Sequence, residues 1–353
     1  ITCFEEMQCE GISADVVTYV CVLKACGSIG AIDKGKEIHD EIVKRATLRN
    51  NVMLGIALVD MYAKCGVLDK AKKVLEGLPV KNVVSWNALI AGYIQHKQGQ
   101  EALDCFVQMQ KVGLAANEIT FSCILKACGS PRVIEKGKKI HDEIRNKGML
   151  NDVVIGTAVV DMYARCGELK TARRVFDELP VHNIATWNAL ISGYAQSGQA
   201  DVALNLYQRM KAEGVMPDSV TFIILLNACS HSGLIDEGEK LVVEMCMVYH
   251  LLPSVEHYAC MIDLFGRAGY FDRVQSFASL KFTSDNLRLL LAILGACQKW
   301  VNISLGRWAF EKSIELDENC GSAYICMENI YAAAGMRQEE KYRIKGVLGV
   351  AKA

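Results

Sequence analysis

Two tripeptides in this sequence carry residue types suited to metal-assisted deamination, His39-Asp40-Glu41 and His141-Asp142-Glu143. In nucleic-acid deaminases an H-x-E motif supplies a zinc-ligating histidine and a proton-shuttling glutamate, and P-C-x-x-C supplies the remaining ligands. No C-x-x-C pair occurs among the fifteen cysteines, so neither that site nor a zinc ribbon can be assembled. The cysteines recur instead at equivalent places. Cys26, Cys128, Cys229 and Cys297 each sit in an Ala-Cys pair, and Cys65 and Cys166 share a Cys-Gly slot. Such recurrence reads as small buried packing residues in a reducing compartment. The Asp33-Lys34-Gly35-Lys36 run lacks the spacing of a phosphate-binding loop. The chain is therefore expected not to be an enzyme, with no catalytic residues, no metal and no cofactor.

The H-x-E pair itself recurs after 102 residues, and so does what surrounds it. VLKACGSIGAIDKGKEIHDEI at 22–42 returns as ILKACGSPRVIEKGKKIHDEI at 124–144, with a looser copy at 225–241. VDMYAKCG at 59–66 returns at 160–167, and SWNALIAGYIQ at 85–95 returns at 186–196. A fixed period of this kind marks a solenoid, whose function lies along one extended surface. The H-x-E motifs then read as a feature of the repeat surface.

Within the repeat, Leu89, Ile90 and Tyr93 follow helical spacing up to a break at Gln98-Gly99-Gln100. Ala102, Leu103, Phe106 and Met109 form a second apolar stripe that Gly113 ends. Each unit is thus a helical hairpin of about 35 residues. After a partial unit at 1–15, the cuts fall at 16–51, 52–82, 83–117, 118–152, 153–183, 184–218, 219–254 and 255–286, alternating long, short and standard. No 18-residue apolar run exists, so no transmembrane helix and no membrane association are expected. The net charge of −1 argues against a strong non-specific polyanion binder but says nothing of charge on one face. The chain opens at Ile1 inside a pattern already in progress, which reads as a fragment.

SWNALIAGY, LKACGS with GKEIHDEI, LVDMYAKCG and MKAEGVMPD together resemble a pentatricopeptide repeat protein of the plant type that alternates standard, long and short motifs. Segments 291–316 and 323–336 resemble the two E motifs that follow the last short repeat, within an E-like region at 287–353. The resemblance implies an all-α fold, a right-handed superhelical solenoid of antiparallel helix-turn-helix repeats. The competing tetratricopeptide pattern is met at Trp86 and Leu89, but its glycine comes two residues late at Gly92.

By the same resemblance, the fifth and last residues of a motif meet the edge of one unstacked RNA base. The pairs are Asn87 with Asn117, Ser122 with Asp152, Thr157 with Asn183, and Asn188 with Asp218. They imply a pyrimidine, guanine read weakly, adenine and uracil in turn, or 5′-Y-(G)-A-U-3′. Val20, Ile56 and Ile223 place apolar groups at the fifth position, and Ala259 is uninformative, so these units read as spacers. Second-position residues Val17, Met53, Val84, Ile119, Val154, Ala185 and Val220 would sandwich the bases in the family; packing of a helix start into the core explains them equally. Glu256 breaks that series. Lys64, Arg165 and Arg267 recur at the thirteenth position, where a cation would neutralise phosphate and a solvated side chain is the alternative.

The implied function is sequence-specific binding of single-stranded organellar RNA, as a site-recognition factor for C-to-U editing. The deaminase would be supplied elsewhere, and a deaminase-bearing protein or accessory factors would be engaged through 287–353. Stabilising, splicing or processing a transcript is the alternative, and a protein-binding scaffold is the alternative of another class. No small-molecule substrate is expected. The expected location is mitochondrion or chloroplast, with no transit peptide in this segment.

Overall fold

The computed structural model describes residues 1–45, 48, 50–130, 133–279 and 281–336, and every regular element among them is helical. Residues 337–353 of the E-like region lie outside the described residues. Two compact units divide the chain, Ile1–His182 and the part from Asn183 on.

In the first unit the helices are α1 Thr2–Cys9, α2 Val16–Ile29, α3 Ile32–Lys44, α4 Val52–Lys64, α5 Leu68–Glu76 and α6 Val83–Gln95. They continue as α7 Gly99–Lys111, α8 Glu118–Cys128, α9 Ile134–Asn146, α10 Val153–Arg165 and α11 Leu169–Glu178. The second unit holds α12 Ile184–Gln196, α13 Ala200–Ala212, α14 Ser219–Ser232, α15 Ile235–Met247, α16 Val255–Ala268, α17 Phe271–Ala278, the short α18 Lys281–Ser284, α19 Leu287–Trp300, α20 Ile303–Leu316 and α21 Gly321–Ala333.

Within each unit the first helix of a pair stacks on the first helix of the next. In the first unit α2, α4, α6, α8 and α10 pack in sequence, and in the second α12, α14, α16, α19 and α21 do the same. Each of these first helices up to α19 also packs on its own partner. A helix covered on several sides must be apolar on several faces, and α4, VMLGIALVDMYAK, buries eight of its thirteen residues. The partner helices are covered on one side only. In α11, LKTARRVFDE, burial is confined to Leu169, Ala172, Val175 and Phe176, one stripe at helical spacing. Close stacking also needs small residues where backbones meet. A Cβ on Gly92 would lie 2.5 Å from Ala63 Cβ, so the glycine of AGY lets α6 approach α4.

The polar residue that precedes each first helix is its N-cap. Asp15, Asn51, Asn82, Asn117 and Asp152 in the first unit, and Asn183, Asp218 and Asn286 in the second, each accept a backbone N–H of the first turn. A capped N–H is one of the donors a helix start otherwise leaves unsatisfied. These are the last residues of the motifs, so the position expected to face RNA also starts the next helix.

Candidate nucleic-acid interface

Asn87 lies in the first turn and a half of α6 and is buried, while Asn117, thirty residues on, caps α8. Asn87 Nδ2 donates to Asn117 Oδ1 at 3.1 Å. The hydroxyl of Thr120, fully buried, lies 2.7 Å from Asn87 Oδ1 and 2.8 Å from Asn117 Oδ1, and Thr120 N–H donates to the same Asn117 oxygen at 3.0 Å. The backbone N–H settles which way the Asn117 amide points. Its oxygen must face the helix start, so its Nδ2, which has no partner among the described residues, is turned to the outside as a donor.

The second unit repeats this arrangement 101 residues later with one change. Asn188 Nδ2 donates to Asp218 Oδ1 at 3.1 Å, and the Thr221 hydroxyl lies 2.7 Å from Asn188 Oδ1 and 2.9 Å from Asp218 Oδ1. Thr221 N–H donates to Asp218 Oδ1 at 2.8 Å. Every described hydrogen bond to this carboxylate falls on Oδ1, leaving Oδ2 as an acceptor. The two sites share one scaffold and differ in polarity: a free donor at Asn117, a free acceptor at Asp218.

The Ser122–Asp152 pair is built differently. Ser122 and Asp152 share no hydrogen bond; Asp152 Oδ1 accepts from Val154 and Ile155 N–H at 2.9 and 3.0 Å. Ile155 stands where Thr120 and Thr221 stand, so no hydroxyl can complete the network. Thr157 is half-buried in the first unit, and Asn183 caps α12 in the second by accepting Thr186 N–H at 2.9 Å. At the spacer positions Val20, Ile56 and Ile223 are half-buried.

Burial separates the two readings of the second positions. Val17, Met53, Val84, Ile119 and Val154 in the first unit are 62, 58, 58, 61 and 61% exposed, and Val220 in the second is 51% exposed. Ala185 is exposed as well. None of these side chains packs into the core. In the first unit Met53, Val84 and Ile119 line one open cleft of about 460 Å³ with Lys24, Asn87 and Asn117. Apolar side chains and polar hydrogen-bonding groups therefore face one hollow. In the second unit the second positions of adjacent first helices reach each other directly, because Glu256 accepts from Arg288 at 2.9 Å. An ion pair occupies this second position, where the other units carry an apolar side chain.

The thirteenth-position cations are solvent-exposed but ion-paired. Lys64, Arg165 and Arg267 each pair with an aspartate four residues earlier, Asp60, Asp161 and Asp263, at 2.7, 2.9 and 2.8 Å. The stems of the first two also cover glycines of the preceding helix pair, since a Cβ on Gly27 or Gly129 would lie 3.3 Å from Lys64 Cδ or 2.9 Å from Arg165 Cδ. Packing and pairing account for their recurrence.

The H-x-E histidines are not surface groups, contrary to the sequence expectation. His141 is buried and His39 half-buried, each with Nδ1 against the hydroxyl of the next tyrosine, Tyr163 at 3.0 Å and Tyr62 at 2.9 Å. Burial holds both imidazoles below their ordinary pKa. Among the described residues no cluster of three histidine, cysteine or acidic groups could hold a metal. Cys26, Cys128, Cys229 and Cys297 are fully buried, and burial pushes the Cys128 and Cys229 thiols up to about 11. Cys65 and Cys166 donate to Cys26 and Cys128 carbonyls at 3.8 and 3.2 Å.

Sequence reasoning missed Thr120 and Thr221. Their signal was legible as N-E-I-T at 117–120 and D-S-V-T at 218–221, an N-cap followed three residues later by a hydroxyl.

A family model described as the PPR repeat family matches residues 81–130 and 182–231, and one described as the PPR repeat matches 17–46, 157–184 and 220–247. The mitochondrial pentatricopeptide repeat-containing protein At1g06140 of Arabidopsis thaliana is 37% identical over 94% of this chain and 59% of its own length. The chloroplastic CRR2 of the same plant is 37% identical over 96% of this chain and 52% of its own length. The chain thus spans little more than half the length of these relatives. Among solved structures, the pentatricopeptide repeat protein PPR10 in complex with an 18-nt psaJ RNA element superposes with a TM-score of 0.63 at 18% identity, covering 98% of this chain and 55% of that one. PPR10 from maize solved alone gives 0.51 at 19% identity, over the same shares.

Proposed function

The chain belongs to the pentatricopeptide repeat family, and we propose that it binds single-stranded RNA and reads selected bases through side chains at the fifth and last motif positions. The observation that carries this reading is the pair of matching networks, Asn87–Asn117–Thr120 and Asn188–Asp218–Thr221. A scaffold that only packs has no use for an identical buried clamp presenting a donor at one repeat and an acceptor at another. A free carboxylate oxygen suits the imino N–H of uracil, and a free amide N–H₂ suits the acceptor edge of a pyrimidine. The exposed second positions supply apolar walls for a base, an interaction that needs no base identity.

Within this reading the target contains 5′-Y-(G)-A-U-3′, and the chain acts as a site-recognition factor for C-to-U editing in a mitochondrion or chloroplast. The deaminase is supplied elsewhere and is engaged through 287–353. The likeness of 291–316 and 323–336 to E motifs supports the editing role, and the mitochondrial and chloroplastic relatives support an organellar location. Stabilisation, splicing or processing of the bound transcript remains the alternative.

An electrophoretic shift with single-stranded RNA carrying the four-base element tests the binding. A complex at low salt that weakens when Asn87→Ala and Asn188→Ala are combined supports the reading. Absence of any complex rejects it. Comparing organellar transcripts with and without the gene tests the editing role, and an unchanged set of edited cytidines would leave only the alternative.

A further inference from the structure

We infer that the RNA backbone is met in the first unit chiefly by Lys24 and Lys126, the ninth residues of two long motifs, and to a smaller extent by the thirteenth-position cations. This inference rests on the RNA-binding reading above. A single-stranded polyanion is bound largely by cations able to displace its counterions, and a cation beside a carboxylate, even in a weak exposed pair, brings less net positive charge to the phosphates than an unpaired one. Lys64 and Arg165 are paired in this way with Asp60 and Asp161. Lys24 and Lys126 are both exposed, and neither ammonium has a carboxylate or other hydrogen-bonding partner among the described residues.

Their placement is equally specific. Lys24 follows exposed Val17 by seven residues on α2, and Lys126 follows exposed Ile119 by seven on α8. Seven residues are two helical turns, so each lysine lies on the face of its helix that carries the second-position side chain. Lys24 also lines the cleft shared by Met53, Val84, Asn87, Asn117 and Ile119. A base held between those walls would put its phosphodiester within the sweep of a flexible four-carbon ammonium. The two lysines recur 102 residues apart in VLKACGS and ILKACGS, and no described packing contact or ion pair requires a positive charge at either place.

The test is the salt dependence of binding between the full chain and a single-stranded RNA carrying the Y-G-A-U element, read by fluorescence anisotropy. Plotted as log K against log[KCl], the Lys24→Gln/Lys126→Gln variant is expected to flatten the slope by about 1.4, two phosphate contacts at about 0.7 each. Lys64→Gln/Arg165→Gln is expected to flatten it by less than half as much. A wild-type slope in the Lys24/Lys126 variant, or a larger loss in the Lys64/Arg165 variant, overturns the assignment while the RNA-binding reading stands. Failure of the unaltered chain to bind the RNA rejects that reading and the assignment with it. Because both lysines are exposed and unbonded, thermal unfolding of the variant should match that of the unaltered chain, so a changed slope reports on contacts and not on folding.

Discussion

Asn188 Nδ2 donates to Asp218 Oδ1 across thirty residues of sequence, and that bond fixes which atom of Asp218 is left for a ligand. The same carboxylate oxygen caps α14 through Thr221 N–H, so the side chain cannot swivel without uncapping a helix. On the proposed reading, recognition and capping are one constraint. An exposed loop aspartate would offer either oxygen at many angles; this one offers Oδ2 in a direction set by the backbone.

Thr120 and Thr221 are positioning residues on this account. Thr120→Val keeps the shape but removes the hydroxyl facing Asn87 Oδ1, leaving a buried acceptor unpaired at a cost of about 1–3 kcal/mol in stability. Selectivity for a pyrimidine at that base should fall about tenfold, ~1.4 kcal/mol. Thr120→Ser should retain it. Binding to a panel of RNAs varied at one position reads this out, and equal selectivity in the valine and serine variants would deny Thr120 its role.

The exposed second positions separate folding from binding. Val84→Asp and Ile119→Asp alter side chains 58 and 61% exposed, so unfolding free energy should move by no more than about 0.5 kcal/mol. RNA affinity should drop by at least about tenfold for the pair, since a carboxylate replaces an apolar wall and repels phosphate. A large loss of stability with unchanged affinity would return these residues to a packing role.

Half-buried His39 and buried His141 make the fold acid-sensitive. Burial is the largest cause of the depressed pKa at both; Lys70 also disfavours charge at His39 while Asp40 favours it, and Arg145 and Arg174 oppose Asp142 and Glu178 at His141. The unfolded chain therefore takes up protons first, near the ordinary value of 6.5. Stability from these sites is complete above that pH and is lost as pH falls through the depressed folded values. Melting temperatures should decline below about pH 6.5, and His39→Gln/His141→Gln should make the decline shallower. Parallel declines would show that other groups carry it.

The period and the helical hairpins were legible because helix stacking imposes apolar spacing on every copy. Asn87, Asn117, Asn188 and Asp218 were legible only through family likeness, since a polar residue before a helix reads as a cap whatever else it does. What escaped was the third partner. Thr120 and Thr221 belong to the next helix pair; N-E-I-T and D-S-V-T mark their place beside the cap but not their contact with Asn87 and Asn188 across the repeat boundary. The misplacement of His39 and His141 on the surface has a similar cause. Their tyrosine partners, Tyr62 and Tyr163, lie in the following pair, and the H-x-E run is otherwise polar.

The most direct test exchanges the two polarities. Asn117→Asp converts the outward donor into an acceptor, and Asp218→Asn does the reverse, while either residue still caps its helix. Competition binding should compare RNAs with uracil or cytosine at each of the two positions. The account predicts that Asn117→Asp shifts its position toward uracil and Asp218→Asn shifts its own toward cytosine, each by about tenfold. Affinities that fall equally for both bases, or preferences that stay where they were, would contradict it.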